Sequence, residues 1–223
     1  MKIVLIGAGN LATNLGKALK KAGHDILQVY SRTATSAETL AAILGCPATT
    51  HLTAIDNRAD MYILSIKDKA LRDVIGELTR ALISSGAGLA EKVFLHTAGS
   101  MPLDVFKDHV PHYGVFYPMQ TFSKAREVDF SIIPSFIEWS DETAHALLSA
   151  LAESVTRRVY PLSTADRKYL HLSAVWACNF VNHCYDIAAG ILAAHHLPFD
   201  AMLPLIDETA RKVHSLSPHD AQT

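Results

Sequence analysis

The first sixteen residues, MKIVLIGAGNLATNLG, constrain the fold more than any other stretch of the chain. Ile3 to Ile6 form a short apolar run of the kind that makes a strand buried on both faces. Gly7-x-Gly9-x-x-Ala12 follows at once, and an amphipathic helix begins inside it. Strand, glycine turn and helix in that order suit a dinucleotide pyrophosphate. Gly7 permits the tight turn, and Gly9 lets the backbone approach phosphates with no Cβ in the way. The free N–H groups of Asn10, Leu11 and Ala12 supply donors and partial positive charge. Ala12 stands where a third glycine is common and still lets helix and strand pack closely. The alternative is a purely structural strand-to-helix turn.

The rest of the first half alternates strand-like and helix-like segments, which predicts an α/β parallel sheet. Helices are expected over 11–22, 36–44, 70–84 and 141–155. Strands are expected over 26–30, 48–52, 61–66, 93–96, 114–116, 132–139 and 158–161. From Ser163 the chain turns helical. Ser163-x-x-Asp166 reads as a capping-box-like start, and no proline interrupts the run to His196. Gly190 marks a place for a kink, and a last helix is expected over 200–216. The fold class is therefore α/β, with a Rossmann-type sheet domain over 1–161 and an all-α domain over 162–223.

With 49% apolar and 19% charged residues and a formal net charge of −2, the chain has no basic patch that would point to nucleic acid. No stretch approaches the ~18 apolar residues of a membrane span, and the apolar N-terminal run is shorter than a signal peptide. Cys46, Cys178 and Cys184 lack C-x-x-C spacing and read as small core residues in a reducing compartment, which points to the cytoplasm. The twelve histidines show no metal-ligand spacing, so no metal is expected.

Where an NAD-preferring protein ends its second strand in Asp or Glu, this chain has Ser31-Arg32-Thr33. A guanidinium flanked by hydroxyls suits a 2′-phosphate, which points to NADP; the alternative is an exposed arginine. Ligands lie beyond the carboxyl ends of the strands in such sheets. Ser65 and Lys67, after the fourth strand, are candidates for lining the cofactor, although the segment also reads as a helix entrance capped by Asp68. His96, opening the His96–Ser100 turn, is a candidate general acid, with a hydrogen-bonded strand-end histidine as the alternative. Ser100, Gln120 and Thr121 are candidates for fixing a substrate's polar group.

Stepping ~100° per residue along the long helix places Lys168, His171, Val175, Asn179, Asn182 and Asp186 within about 60° of one another. Leu170, Leu172, Trp176, Phe180, Val181 and Tyr185 make the remaining faces largely apolar, which predicts a buried helix with a polar stripe. The stripe suits a wet cleft or a buried hydrogen-bond network. The apolar faces are wider than one small domain needs, so a homodimer through the helical domain is expected.

The segments GAGNLA, VYSR and LSIKD resemble the NADP-binding domain of deazaflavin-dependent NADP reductases and pyrroline-5-carboxylate reductases. HTAGS at 96–100, YPMQTF at 117–122 and DRKYLHLSAVWACNFVNH at 166–183 resemble bacterial Rossmann-like proteins with an uncharacterised helical C-terminal domain, over essentially the whole chain. Such proteins often carry His where this chain has Tyr117, and continue past the DAQT segment with a Gly-Pro-Ala stretch, so the ending at Thr223 reads as a truncation. The resemblance implies an NADP-dependent oxidoreductase acting on a small-molecule substrate, and leaves the substrate, a deazaflavin included, open. In related dehydrogenases a Lys and an Asn of the helical domain face the nicotinamide, which makes Lys168 and Asn179 the analogous candidates. The expected reaction is hydride transfer between nicotinamide and a small carbonyl or imine. The rival is a non-catalytic NADP-binding sensor or assembly protein.

Overall fold

A computed structural model describes residues 1–222, and the expected end at Thr223 lies outside the described residues. Eight strands form one sheet: β1 (Lys2–Ile6), β2 (Asp25–Tyr30), β3 (Ala48–Thr49), β4 (Met61–Leu64), β5 (Val93–His96), β6 (His112–Pro118), β7 (Ser135–Trp139) and β8 (Val159–Pro161). Their order is β3-β2-β1-β4-β5-β6-β7-β8, parallel throughout except for the antiparallel β6–β7 pair. The first six strands follow the order of a doubly wound nucleotide-binding sheet, whose switch point lies between β1 and β4.

Helices α1 (Asn10–Lys21), α2 (Ala34–Leu44), α3 (Asp68–Ser84) and α4 (Glu142–Val155) complete the layers. β1 shows why two layers are needed. Ile3 and Leu5 pack with Leu15, Leu19 and Leu148 in one buried cluster, while Val4 and Ile6 pack with Leu71, Ile75 and Phe106 in the other. A strand buried on both faces carries apolar residues without alternation, as this one does. Asp141 caps α4 by accepting the N–H groups of Thr143 and Ala144.

Several boundaries differ from the sequence pattern. β4 stops at Leu64, because Ser65 and Ile66 already turn toward α3, which starts at Asp68. Asp68 is its first helical residue and Lys67 holds the cap position, so the carboxylate is not the cap. β6 is longer than expected, because antiparallel pairing with β7 extends it to Pro118.

The chain divides into two compact units, Met1–His171 and Leu172–Thr223, and the division falls within α5 (Thr164–Ala174). Half of the capping box of α5 forms: the Ser163 hydroxyl accepts the Asp166 N–H at 3.1 Å, and the Asp166 carboxylate accepts that hydroxyl at 2.7 Å rather than the Ser163 N–H. In the second unit a π segment, Val175–Phe180, precedes α6 (Val181–Ala194) and α7 (Leu203–Lys212). The irregularity therefore sits at 175–180, and Gly190 lies inside regular α6. A π turn inserts a residue and rotates the succeeding helix by roughly 100°. Val175 and Asn179 thus do not keep the helical phase of Asn182 and Asp186, and the polar stripe counted at uniform steps does not hold. Nor are the apolar faces of this helix buried: Trp176 is 61% and Ile191 60% exposed. Cys184, expected in a core, is exposed for the same reason.

Candidate functional site

Gly7 and Gly9 do different work in the opening turn. Gly7 adopts φ +120°, and a Cβ built there would lie 2.2 Å from the Ser65 carbonyl oxygen. Its N–H donates to the Tyr30 carbonyl at 2.8 Å, and the Ser65 N–H donates to the Ile6 carbonyl at 2.8 Å. Gly7 is what lets the ends of β1, β2 and β4 converge. Gly9, by contrast, has an ordinary φ of −80° and caps α1 with no side chain. A Cβ at Gly9 would meet nothing within 4 Å. The open space lies over the first turn of α1, Asn10-Leu11-Ala12, which holds no acidic residue. Uncapped N–H groups at a helix start, beside space that any side chain would fill, fit a pyrophosphate.

Two residues hold that turn rigid. Thr13 donates its hydroxyl to the Gly9 carbonyl at 2.9 Å. The buried Asn14 amide donates to the carbonyls of Asn10 and Ser123, both at 2.9 Å. At the end of β2, Ser31 is half-buried and its N–H donates to the Thr49 carbonyl at 3.2 Å, while Arg32 and Thr33 are exposed. Thr33 precedes α2 and donates its hydroxyl to Ser36 at 2.9 Å. Arg32 makes no ion pair among the described residues, so its guanidinium is available to an anion. Two surface clefts lie beside the sheet, one between α1 and 127–131, the other between Tyr30, 50–53 and α3.

The His96–Ser100 turn follows β5. His96 is fully buried. Its Nδ1 accepts the Ala98 N–H at 3.1 Å, which leaves Nε2–H to donate to the Pro102 carbonyl at 3.3 Å. Burial and the nearby Arg167 cation push its pKa down to about 3. A neutral imidazole with both nitrogens engaged holds the turn, and this geometry does not suit the general-acid role expected for it. The Ser100 hydroxyl donates to the Asp68 carboxylate, tying the turn to the start of α3. Ser100 is thereby committed to a protein partner and does not present a free hydroxyl.

Arg167, Glu138 and Thr164 form a network that the sequence pattern did not single out. Arg167 is 1% exposed and pairs with Glu138 at 2.5 Å, and its second terminal nitrogen donates to the Met101 carbonyl at 2.7 Å. Glu138 also accepts the Thr164 N–H and hydroxyl, each at 2.7 Å, and the Leu103 N–H donates to that hydroxyl at 3.0 Å. Among the described residues the Arg167 Nε has no hydrogen-bond partner. The network fastens the beginning of α5 to β7 and to the segment after Ser100. Lys168 is exposed at the next position, and His171 lies three residues beyond, half-buried.

His171 meets Tyr117, at the carboxyl end of β6: the tyrosine Oη and His171 Nδ1 are 3.0 Å apart, with the rings edge-on at 80°. Both rings pack on Gly99. A Cβ there would lie 2.5 Å from His171 Nδ1 and 3.0 Å from Tyr117 Cε2. The glycine in the turn is thus a requirement of close approach. Gln120 and Thr121 are exposed, and the Thr121 N–H donates to the Gln120 side-chain oxygen at 2.8 Å, as in an ordinary turn. Lys67 is exposed beside Ser65. Asn179 is exposed in the π segment of the second unit. Among the described residues no group of three or more His, Cys, Asp or Glu could hold a metal.

The strand order, the glycine turn and the Ser31–Thr33 corner together define a Rossmann-type dinucleotide-binding protein. Residues 2–88 match the family described as NADP oxidoreductase, coenzyme F420-dependent, and residues 133–223 match a domain of unknown function, DUF2520. A candidate NADP oxidoreductase from Bacteroides fragilis is 54% identical to this chain, covering all of it and 83% of its own length, with a TM-score of 0.93. The chain belongs to that family, the NADP oxidoreductases that join an F420-dependent-type NADP domain to a DUF2520 domain.

More distant structures share the fold. A 1-pyrroline-5-carboxylate reductase from Streptococcus pyogenes aligns at 17% identity and TM-score 0.71, covering 99% of this chain and 83% of that one. An imine reductase from Myxococcus stipitatus, in complex with NADP+, aligns at 16% and 0.71, covering 96% and 73%. No curated protein matches the chain. Among the described residues no helix is long and apolar enough to cross a membrane.

Proposed function

We propose that this NADP-dependent oxidoreductase reduces a small carbonyl or imine compound at the edge formed by Gly7–Ala12, Ser31–Thr33 and the His96–Ser100 turn. The observation that carries the reading is the open cradle over Gly9, set at an uncapped helix start with Arg32 at the neighbouring strand end. NADPH, when bound, supplies the hydride. The N–H groups of Asn10 to Ala12 hold the pyrophosphate, and Arg32, with Ser31 and Thr33, holds the 2′-phosphate by charge-assisted hydrogen bonds. Ser65 and Lys67 flank the ribose and phosphates.

On the substrate side, His96 and Ser100 keep their turn in place while Gln120, Thr121 and His171 bound the space for a polar group, with Lys168 as a charged group on α5; Asn179 is the amide candidate within the second unit. The helical region 162–223 also suits a second copy of the chain, because Tyr169, Trp176, Phe180, Ile187 and Ile191 are exposed large apolar side chains. Three free cysteines fit a reducing cytoplasm.

NADPH oxidation measured against small cyclic imines, aldehydes and ketones tests the reading. Turnover with a higher kcat/KM for NADPH than for NADH is expected. Tight NADPH binding with no turnover across the panel would point instead to a sensor or assembly protein.

A further inference from the structure

Reduction of a carbonyl carbon leaves an oxygen that must take up one proton, and an imine nitrogen has the same requirement. Of the titratable side chains around the His96–Ser100 turn, His96 is buried with both nitrogens engaged and Lys168 stands exposed. Arg167 is locked to Glu138. Asp68 accepts the Ser100 hydroxyl. What remains is the Tyr117–His171 pair: two half-buried rings joined by a 3.0 Å hydrogen bond and seated on Gly99. Tyr117 lies at the carboxyl end of β6, beside the end of β5, which is the edge where ligands of such sheets bind.

Resting on the reductase reading above, we propose that Tyr117 is the proton donor to the reduced substrate and that His171 restores its proton. With His171 neutral, its Nδ1 accepts the Tyr117 O–H. With His171 protonated, the bond reverses, Nδ1–H donates to Oη, and the phenolic hydrogen can turn away. The Oη–H bond then breaks toward the substrate oxygen or nitrogen, Oη takes the Nδ1 proton, and solvent reprotonates the imidazole. One proton enters from water and one reaches the product. NADPH, the reductant of the proposed function, supplies the remaining hydrogen with its electron pair.

A purely structural pair would hold the turn and do nothing more. Tyr117→Phe separates the two, because it keeps the ring that packs on Gly99 and removes only Oη. The variant should keep the wild-type melting temperature and bind NADPH within about twofold. It should lose at least about 100-fold in kcat, the lower end of general-acid contributions, together with the solvent deuterium isotope effect. In the cofactor-free protein, the His171 Nδ1 nitrogen resonance should shift when Oη is removed. Added imidazole should restore part of the activity of His171→Ala. Retention of kcat within about twofold in Tyr117→Phe would overturn the proposal and leave the reductase reading standing. A wild-type protein that binds NADPH and reduces nothing would overturn both, and an unmoved His171 resonance would show that the hydrogen-bonded pair does not exist in solution.

Discussion

The unit Met1–His171 closes its own core, and the unit that begins at Leu172 does not. In the first, β4 and β5 are buried throughout and β1 from Ile3 onward, between two apolar clusters. In the second, no described residue falls in the buried class, and Trp176 stacks on Phe180 at 4.4 Å with both rings exposed. The nucleotide-binding half is therefore self-sufficient, and its turns can be held to fixed geometry by backbone hydrogen bonds and a buried ion pair. The helical region exposes an apolar surface. Stability and recognition in this protein should respond to substitution very differently on the two sides of the division.

The largest effect is expected at Gly7. Gly7→Ala combines a positive φ with a clash against the Ser65 carbonyl, and should cost about 3–5 kcal/mol by denaturant unfolding. Gly9→Ala, two residues away, should leave stability unchanged and weaken NADPH binding at least tenfold, about 1.4 kcal/mol. Equal losses of stability at the two glycines would erase the distinction between them. Next, Glu138→Ala strips the buried Arg167 of its counter-charge and should cost about 3 kcal/mol.

A smaller and pH-dependent effect arises from His96. Its folded pKa, about 3, lies below the ordinary histidine value of 6.5, so its contribution is full above pH 6.5 and is lost as pH falls toward 3. Between pH 6.5 and 4.5, before most carboxylates titrate, unfolding free energy should drop by about 1.4 kcal/mol per pH unit. His96→Gln should flatten most of that slope, whereas a slope unchanged in this variant would mean that His96 is charged in the folded protein. The smallest stability effect belongs to the second unit. Trp176→Glu should change unfolding free energy by no more than about 0.5 kcal/mol at concentrations where the chain is monomeric. The same variant should abolish any dimer seen by sedimentation, and a dimer that survives it would place the interface elsewhere.

The parts of the site that were legible in the sequence are the local ones. Strand, glycine turn and helix are adjacent from Lys2 to Lys21, and the Ser31–Thr33 corner comes directly after β2, so periodicity and residue chemistry suffice to find them. The Ser163 cap on Asp166 is legible for the same reason. His96 was ambiguous because its fate depends first on its burial and then on Arg167, far along the chain, and Arg167 itself is held by Glu138 and by the Met101 carbonyl, 66 residues before it. Tyr117 and His171 are 54 residues apart, and only the missing Cβ at Gly99 hints that two rings converge there. The polar stripe failed because a π segment is not written in the spacing of polar residues.

The central claim is that the edge from Gly7 to Thr33 is built for NADP. Calorimetric titration of NADPH and NADH into the wild type and Arg32→Ala tests it most directly. Wild type should bind NADPH at least about tenfold more tightly than NADH, and Arg32→Ala should bind the two alike, in keeping with the loss of charge-assisted hydrogen bonds worth about 1.5–3 kcal/mol. Equal or tighter binding of NADH by the wild type would contradict the account.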